Sequence, residues 1–175
     1  MRTTPLVVVT TALLICASPA GAQHIPRVAV GAGPLLAHQG DWAPYDHGVH
    51  AQVSVLVLRA TRPVNVRIEA LYATTTRAVA APSLTPRTAI GGVSGSVMVA
   101  PRALAGGVGQ LTGFVGGGGY STEYGSVREN HFGYHVGLGL ARRVRGGALQ
   151  VEVRYQRIAD GATPRLVPVT VSVGF

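Results

Sequence analysis

Apolar residues recur at every second position along the last stretch of the chain. Reading back from Phe175, the residues Val173, Val171, Val169 and Val167 share one face, while Gly174, Ser172, Thr170, Pro168 and Leu166 share the other. The stretch before it repeats the pattern, with Leu149, Val151, Val153 and Tyr155 opposite Gln150, Glu152, Arg154 and Gln156. A period of two predicts β-strands. Full charges near the centre of the polar face do not suit a sandwich core unless they are paired or solvated. A half-exposed strand of a soluble protein explains one such segment, but a succession of them predicts strands that face lipid on one side and a polar lumen on the other.

The same alternation runs through the rest of the chain. Val28 to Gly33 reads as a first strand. In a second, Val49, Ala51, Val53, Val55 and Val57 oppose His50, Gln52 and Ser54, although Leu56 and Leu58 make its end apolar on both faces. A third follows Pro63, with Val64, Val66, Ile68, Ala70 and Tyr72 opposite Asn65, Arg67 and Glu69; proline suits the start of a strand but not its middle. Val93, Val97 and Val99 alternate with Ser94, Ser96 and Met98 in a fourth. The glycine-rich fifth, Val108 to Gly118, accepts either phase, because Phe114 and Val115 point to opposite faces. In the sixth, Phe132, Tyr134, Val136, Leu138 and Leu140 alternate with His131, Gly133, His135, Gly137 and Gly139, and the small inward residues suit a narrow interior.

Eight strands are therefore expected in an antiparallel up-and-down transmembrane barrel. Segments 34–48, 74–90 and 119–130 read as long loops, the turns near Arg62, Arg102 and Arg143 as short ones, and 159–165 as a moderate one. Alternating connection lengths fit a barrel with short periplasmic turns and longer external loops. A closed edge is what lipid demands, since each unpaired backbone group there costs several kcal/mol.

Residues 1–22 read as a signal peptide, with Arg2 before the apolar run Leu6 to Ile15, then Ala20-Gly21-Ala22 and cleavage before Gln23. The apolar run is too short for a spanning helix. Export directs the domain, 23–175, toward the bacterial outer membrane. Cys16, the single cysteine, lies inside the signal. Disulfides, thiolate chemistry and cysteine-bound metals are thus not expected in the exported domain. Fifteen arginines, no lysine and seven acidic residues give a formal charge of +8. The arginines are dispersed and the chain is exported, so nucleic acid is not the expected partner. Outer-membrane lipids and lipopolysaccharide are.

With its signal segment, eight alternating strands and the ending Val169-Thr170-Val171-Ser172-Val173-Gly174-Phe175, the chain resembles the small eight-stranded outer-membrane barrels, the class that includes the OmpA transmembrane domain and the OmpX-like proteins. The resemblance implies that Phe175 belongs to a signal read by the barrel-assembly machinery. It covers the architecture of the exported domain without a motif that separates adhesive, structural and enzymatic members. The resemblance is to the barrel alone, and cell-wall anchoring through a peptidoglycan-binding domain after Phe175 is not expected.

The inward set Arg67, Glu69, Glu152 and Arg154, with Gln52, Gln110 and Gln150 and with His131 and His135 beside them, is the most chemically loaded. Its simplest use is a network of charge-assisted hydrogen bonds filling a barrel too narrow for a wide pore; a porin-like conductance is the alternative use. His131 and His135 lie roughly 13 Å apart along a strand, too far to share a metal. His38, His47 and His50 with Asp41 and Asp46 have metal-ligand composition but no compact spacing, and no metal or other cofactor is expected. Gly116 to Gly119 is no phosphate loop, because no lysine follows it. Trp42, Tyr45, Tyr120 and Tyr124 suit interfacial anchoring or a tip that binds an extracellular protein or glycan.

The expected function is therefore non-enzymatic, structural or surface recognition through external loops. One rival is a lipid-modifying enzyme, deacylase or acyltransferase-like, using His131 with Ser121, Ser126, Glu123 or Glu129. The other is a secreted β-sandwich that binds a ligand.

Overall fold

A computed structural model describes residues 25–38, 45–61, 64–77, 87–100, 109–124, 126–158 and 165–175. The expected signal segment lies outside these. The described chain is all-β, with β1 Val28–His38, β2 Tyr45–Thr61, β3 Val64–Arg77, β4 Arg87–Val99, β5 Gln110–Tyr124, β6 Val127–Val144, β7 Gly147–Ile158 and β8 Arg165–Gly174. Each strand pairs antiparallel with the next, and β8 returns to β1 in a closed eight-stranded barrel. The closing register runs from Ala29 opposite Gly174 to His38 opposite Arg165. Beyond it, the Arg27 N–H donates to the Phe175 carbonyl at 2.9 Å and the Phe175 N–H donates to the Val28 carbonyl at 2.9 Å. Phe175 thus completes the seam, and the ladder is left without an edge strand to recruit another chain.

Alternation decides which way each side chain points. Val53, Val55, Ile68, Val93, Val97, Val136, Leu138, Val153, Val171 and Val173 are exposed on the outer wall, while Gln52, Ser54, Arg67, Glu69, Ser94, Ser96, His135, Gln150, Glu152 and Arg154 are buried inside. The phase of β5 is settled in the same way, with Phe114 inward and buried and Val115 outward and exposed. The end of β2 that is apolar on both faces contains register shifts between Leu56 and Leu58 and between Arg59 and Thr61. There the strict period of two gives way to bulges.

Strands run further than the sequence pattern alone indicates. β1 continues to His38, β2 begins at Tyr45, β3 reaches Arg77 and β4 starts at Arg87. The largest correction is to 119–130, which is a hairpin rather than a loop: Tyr124 pairs with Val127, and only residues 125–126 connect β5 to β6. Glycine, serine, threonine and glutamate there carry no apolar alternation, yet the paired backbone satisfies itself without one. The expected alternation of loop lengths fails as well, since 100–109 separates β4 from β5 at an end where only short turns were expected. We call the end holding Arg27, Phe175 and connections 62–63, 100–109 and 145–146 the lower end, and the opposite end the upper.

The inward glycines have a steric reason. A Cβ on Gly133 would come within 2.8 Å of Tyr120 Cε2. One on Gly137 would press into the Phe114 ring, 2.7 Å from its Cε2, and one on Gly92 would press into Tyr120 from the other side. Both aromatic rings lie along the wall, in space that a side chain on the neighbouring strand would otherwise take. At the lower β6–β7 turn, Gly146 has φ +84°, a left-handed conformation that glycine adopts without strain.

Candidate functional site in the barrel interior

The interior is stratified. Toward the upper end, Leu35, Leu71, Ala73, Ile90, Tyr120, Ile158 and Leu166 form one buried apolar cluster. Below it lies a polar layer, and toward the lower end Met98, Ala100, Ala29, Ala141 and Ala148 are again apolar and buried. The charged groups of the polar layer are buried and must be answered internally.

They are answered by an alternating square of two arginines and two glutamates. Arg67 Nη1 donates to Glu152 Oε1 at 2.5 Å across the lumen, and Arg67 Nη2 lies 3.2 Å from Glu69 Oε2. Arg154 makes a two-point contact with Glu69, at 2.5 Å to Oε1 and 2.8 Å to Oε2, and its Nη2 is 3.8 Å from Glu152. The four side chains are at most 5% exposed. Two cations and two anions leave the layer formally neutral, which makes such deep burial tolerable. The fork of each guanidinium matches a carboxylate edge in a way a lysine ammonium would not.

Neutral groups complete the set. Gln150 donates to Glu152 at 2.7 Å, Gln52 donates to Glu152 at 3.3 Å while accepting from Arg154 at 3.4 Å, and Ser94 donates to Glu69 at 3.0 Å. Phe114 gives both arginines a π-face, with Arg67 Cζ 4.7 Å and Arg154 Cζ 5.3 Å from its centroid. Such cation–π contacts strengthen when desolvated. All six residues singled out for the lumen network, Arg67, Glu69, Glu152, Arg154, Gln52 and Gln150, therefore meet in one cluster. Gln110 lies on the same inner face of β5, half-buried. The two shortest charged pairs, Arg67–Glu152 and Arg154–Glu69, cross the barrel between β3 and β7, strands that share no ladder.

Histidines extend the layer. His135 Nε2 lies 2.8 Å from Ser96 Oγ and 3.6 Å from Glu69 Oε1, with the Tyr120 hydroxyl 3.5 Å from Nδ1. His50 Nε2 lies 2.8 Å from Thr170 Oγ1. His50 is thus part of the inner wall and not of a loop cluster; the side chains of His38, His47, Asp41, Asp46, Trp42, Tyr45 and Tyr124 lie outside the described residues. Tyr120 is likewise corrected from a loop anchor to a buried interior residue. Among the described residues, no group of three metal-ligating side chains occurs.

Of the groups named for the hydrolytic rival, Ser121 and His131 are kept apart. His131 lies on the inner face near Glu129, at 3.4 Å, while Ser121 is on the outer face accepting from Arg128 Nε at 2.8 Å. In this register Tyr120 opposes His131 and Ser121 opposes Asn130, so one step along β5 moves the serine to the other side of the wall. A serine–histidine contact among the described residues, Ser96 with His135, is buried beside the charged groups. Sequence pattern placed His135, Ser96 and Thr170 inward but gave no reason to pair them. The pairing comes from strand stagger around the barrel. No family model matches the chain, and no curated protein matches it.

Proposed function

We propose that the chain is a non-enzymatic integral barrel of the bacterial outer membrane, whose specific role is structural or is surface recognition carried by its upper-end connections. The observation that carries this reading is the inversion of the wall: the outer face is exposed valine, leucine and phenylalanine, and the inner face is a closed ionic layer. Soluble monomers rarely expose a continuous apolar band of this kind, whereas lipid requires one. Every strand has at least 10 residues, enough for the roughly 9–11 that a tilted transmembrane strand needs.

The interior suits a scaffold better than a porin-like channel or an enzyme. A lumen filled by paired guanidinium and carboxylate groups holds the wall in register and leaves chemistry to the connecting segments, where recognition on rigid scaffolds commonly resides. On this reading lipopolysaccharide and phospholipid surround the barrel, the assembly machinery reads the Phe175 strand, and an extracellular protein or glycan meets segments 39–44, 78–86 and 159–164. The test is fractionation combined with an activity assay. Recovery with outer-membrane markers, resistant to carbonate extraction, is expected, together with no turnover of labelled lipopolysaccharide or phospholipid. Recovery in the soluble fraction would favour a secreted binding protein. Turnover abolished by His131→Ala would establish the lipid-modifying enzyme.

A further inference from the structure

The charges are sorted along the barrel axis. Of the seven acidic residues, Glu69 and Glu152 are in the lumen, Glu123 and Glu129 are in the upper β5–β6 hairpin, Asp46 is in the upper part of β2, and Asp41 and Asp160 fall in sequence segments that join upper strand ends. The upper end also has five arginines, at 77, 87, 128, 157 and 165, so it is balanced. At the lower end, Arg27, Arg142, Arg143 and Arg145 are joined by Arg59 near the end of β2 and, by sequence, by Arg62 and Arg102, with no aspartate or glutamate. Apart from Arg2, the positive surplus of the sequence falls on the strand ends and connecting segments of the lower end.

Strand order then gathers part of this surplus around an aromatic residue. β6, β7, β8 and β1 are successive neighbours, so the Arg145–Gly146 turn, the end of β8 and the start of β1 lie side by side. Phe175 is 75% exposed; its ring borders Gly147 at the exit of that turn, and its backbone bonds Arg27. Arg27, Arg143 and Arg145 are exposed. Val28, Val144 and Val173 carry the apolar outer face to the same level. Arginines on chain segments that flank an exposed aromatic ring, at the end of an apolar wall, suit a phospholipid: phosphate at the arginines, acyl chain on the wall.

We infer that the lower rim around Phe175, formed by Arg27, Arg143 and Arg145, binds anionic glycerophospholipid headgroups and so draws anionic lipid to the leaflet at that end of the barrel. The inference rests on the membrane-barrel reading. Each arginine close to an anionic membrane surface contributes a factor of about five in association, and the effect weakens with salt over a Debye length of about 10 Å at 0.1 M.

The test refolds the 23–175 chain, with Val144→Cys carrying a fluorophore, into vesicles of phosphatidylcholine alone or mixed equally with phosphatidylglycerol. Brominated phosphatidylglycerol or brominated phosphatidylcholine serves as quencher. Enrichment of phosphatidylglycerol at the label by at least about threefold is expected. The triple variant R27Q/R143Q/R145Q should lose it, whereas R128Q/R157Q/R165Q, which removes equal charge from the upper end, should keep it. Insertion without enrichment, or equal loss in both triple variants, would overturn the inference and leave the barrel reading intact. Failure of the parent chain to insert into either lipid would overturn both. Should the lower triple variant not insert, R145Q, placed in an exposed two-residue turn, is read in its stead: reduced enrichment supports the inference and unchanged enrichment overturns it.

Discussion

Arg154→Met is the perturbation that most severely tests the ionic layer. Arg154 supplies the two-point contact to Glu69, the 3.4 Å contact to Gln52 and one of the two cations over Phe114. Removing it leaves three charges, with a surplus carboxylate, in a layer at most 5% exposed. Breaking a buried pair from one side costs about 3–5 kcal/mol. Arg67, 3.2 Å from Glu69, offsets part of this, so a loss of about 3 kcal/mol is expected. The paired variant E69L/R154M restores neutrality and keeps Arg67 with Glu152 at 2.5 Å. It gives up the Ser94 hydrogen bond, worth about 1 kcal/mol, and should lie within about 2 kcal/mol of the parent. The assay is equilibrium urea unfolding in lipid vesicles, followed by the gel shift between folded and unfolded barrel. A single variant costing under about 1 kcal/mol, or a double variant costing the sum of the two single variants, would refute the reasoning.

Further outcomes follow from the same geometry. Neither polar atom of the fully buried Gln156 side chain has a hydrogen-bond partner among the described residues, so Gln156→Leu should stabilise the barrel by about 1 kcal/mol or more in the same unfolding assay. Gly137→Ala drives a methyl group into the Phe114 ring and toward the Val153 carbonyl, and should cost about 1–3 kcal/mol; melting equal to the parent would show that Phe114 yields freely. Phe175→Asp should lower the membrane-inserted level more than Gln23→Asp does, as read by fractionation of cells producing each variant. Equal levels would remove Phe175 from the account of assembly.

Much of the fold is readable from a period of two. Along the middle of β3 and β7, valine, isoleucine and tyrosine point outward opposite charged and amide residues, so Arg67, Glu69, Glu152 and Arg154 are assigned to the lumen from the pattern alone. Strand limits were harder to read, because the pattern ends before the hydrogen bonding does: Ser121, Thr122 and Glu123 pair with Asn130, Glu129 and Arg128 although none of them is apolar. The phase of β5 is hidden for the same reason, since a run of glycines carries no hydrophobic signal. Partners inside the lumen depend on stagger between strands, which linear spacing does not encode. Hence Phe114 as a shared platform for two arginines, and His135 as the partner of Ser96, emerge only from the closed barrel. The excess of arginine over acid at one end is present in the sequence, yet it has no meaning until each segment is assigned to an end.

The central claim is that the apolar outer wall faces lipid while the inner wall is closed to water. Because Cys16 is the single cysteine and lies in the expected signal segment, spin labels can be placed one at a time at positions 134 to 139 of β6 in the vesicle-embedded 23–175 chain. Relaxation by oxygen, which concentrates in lipid, and by a water-soluble nickel chelate is then compared at each position. The account predicts a period of two, with high oxygen and low nickel accessibility at Tyr134, Val136 and Leu138, and low accessibility to both at His135, Gly137 and Gly139. High nickel accessibility at Tyr134, Val136 and Leu138 would contradict it, because the outer wall would then face water.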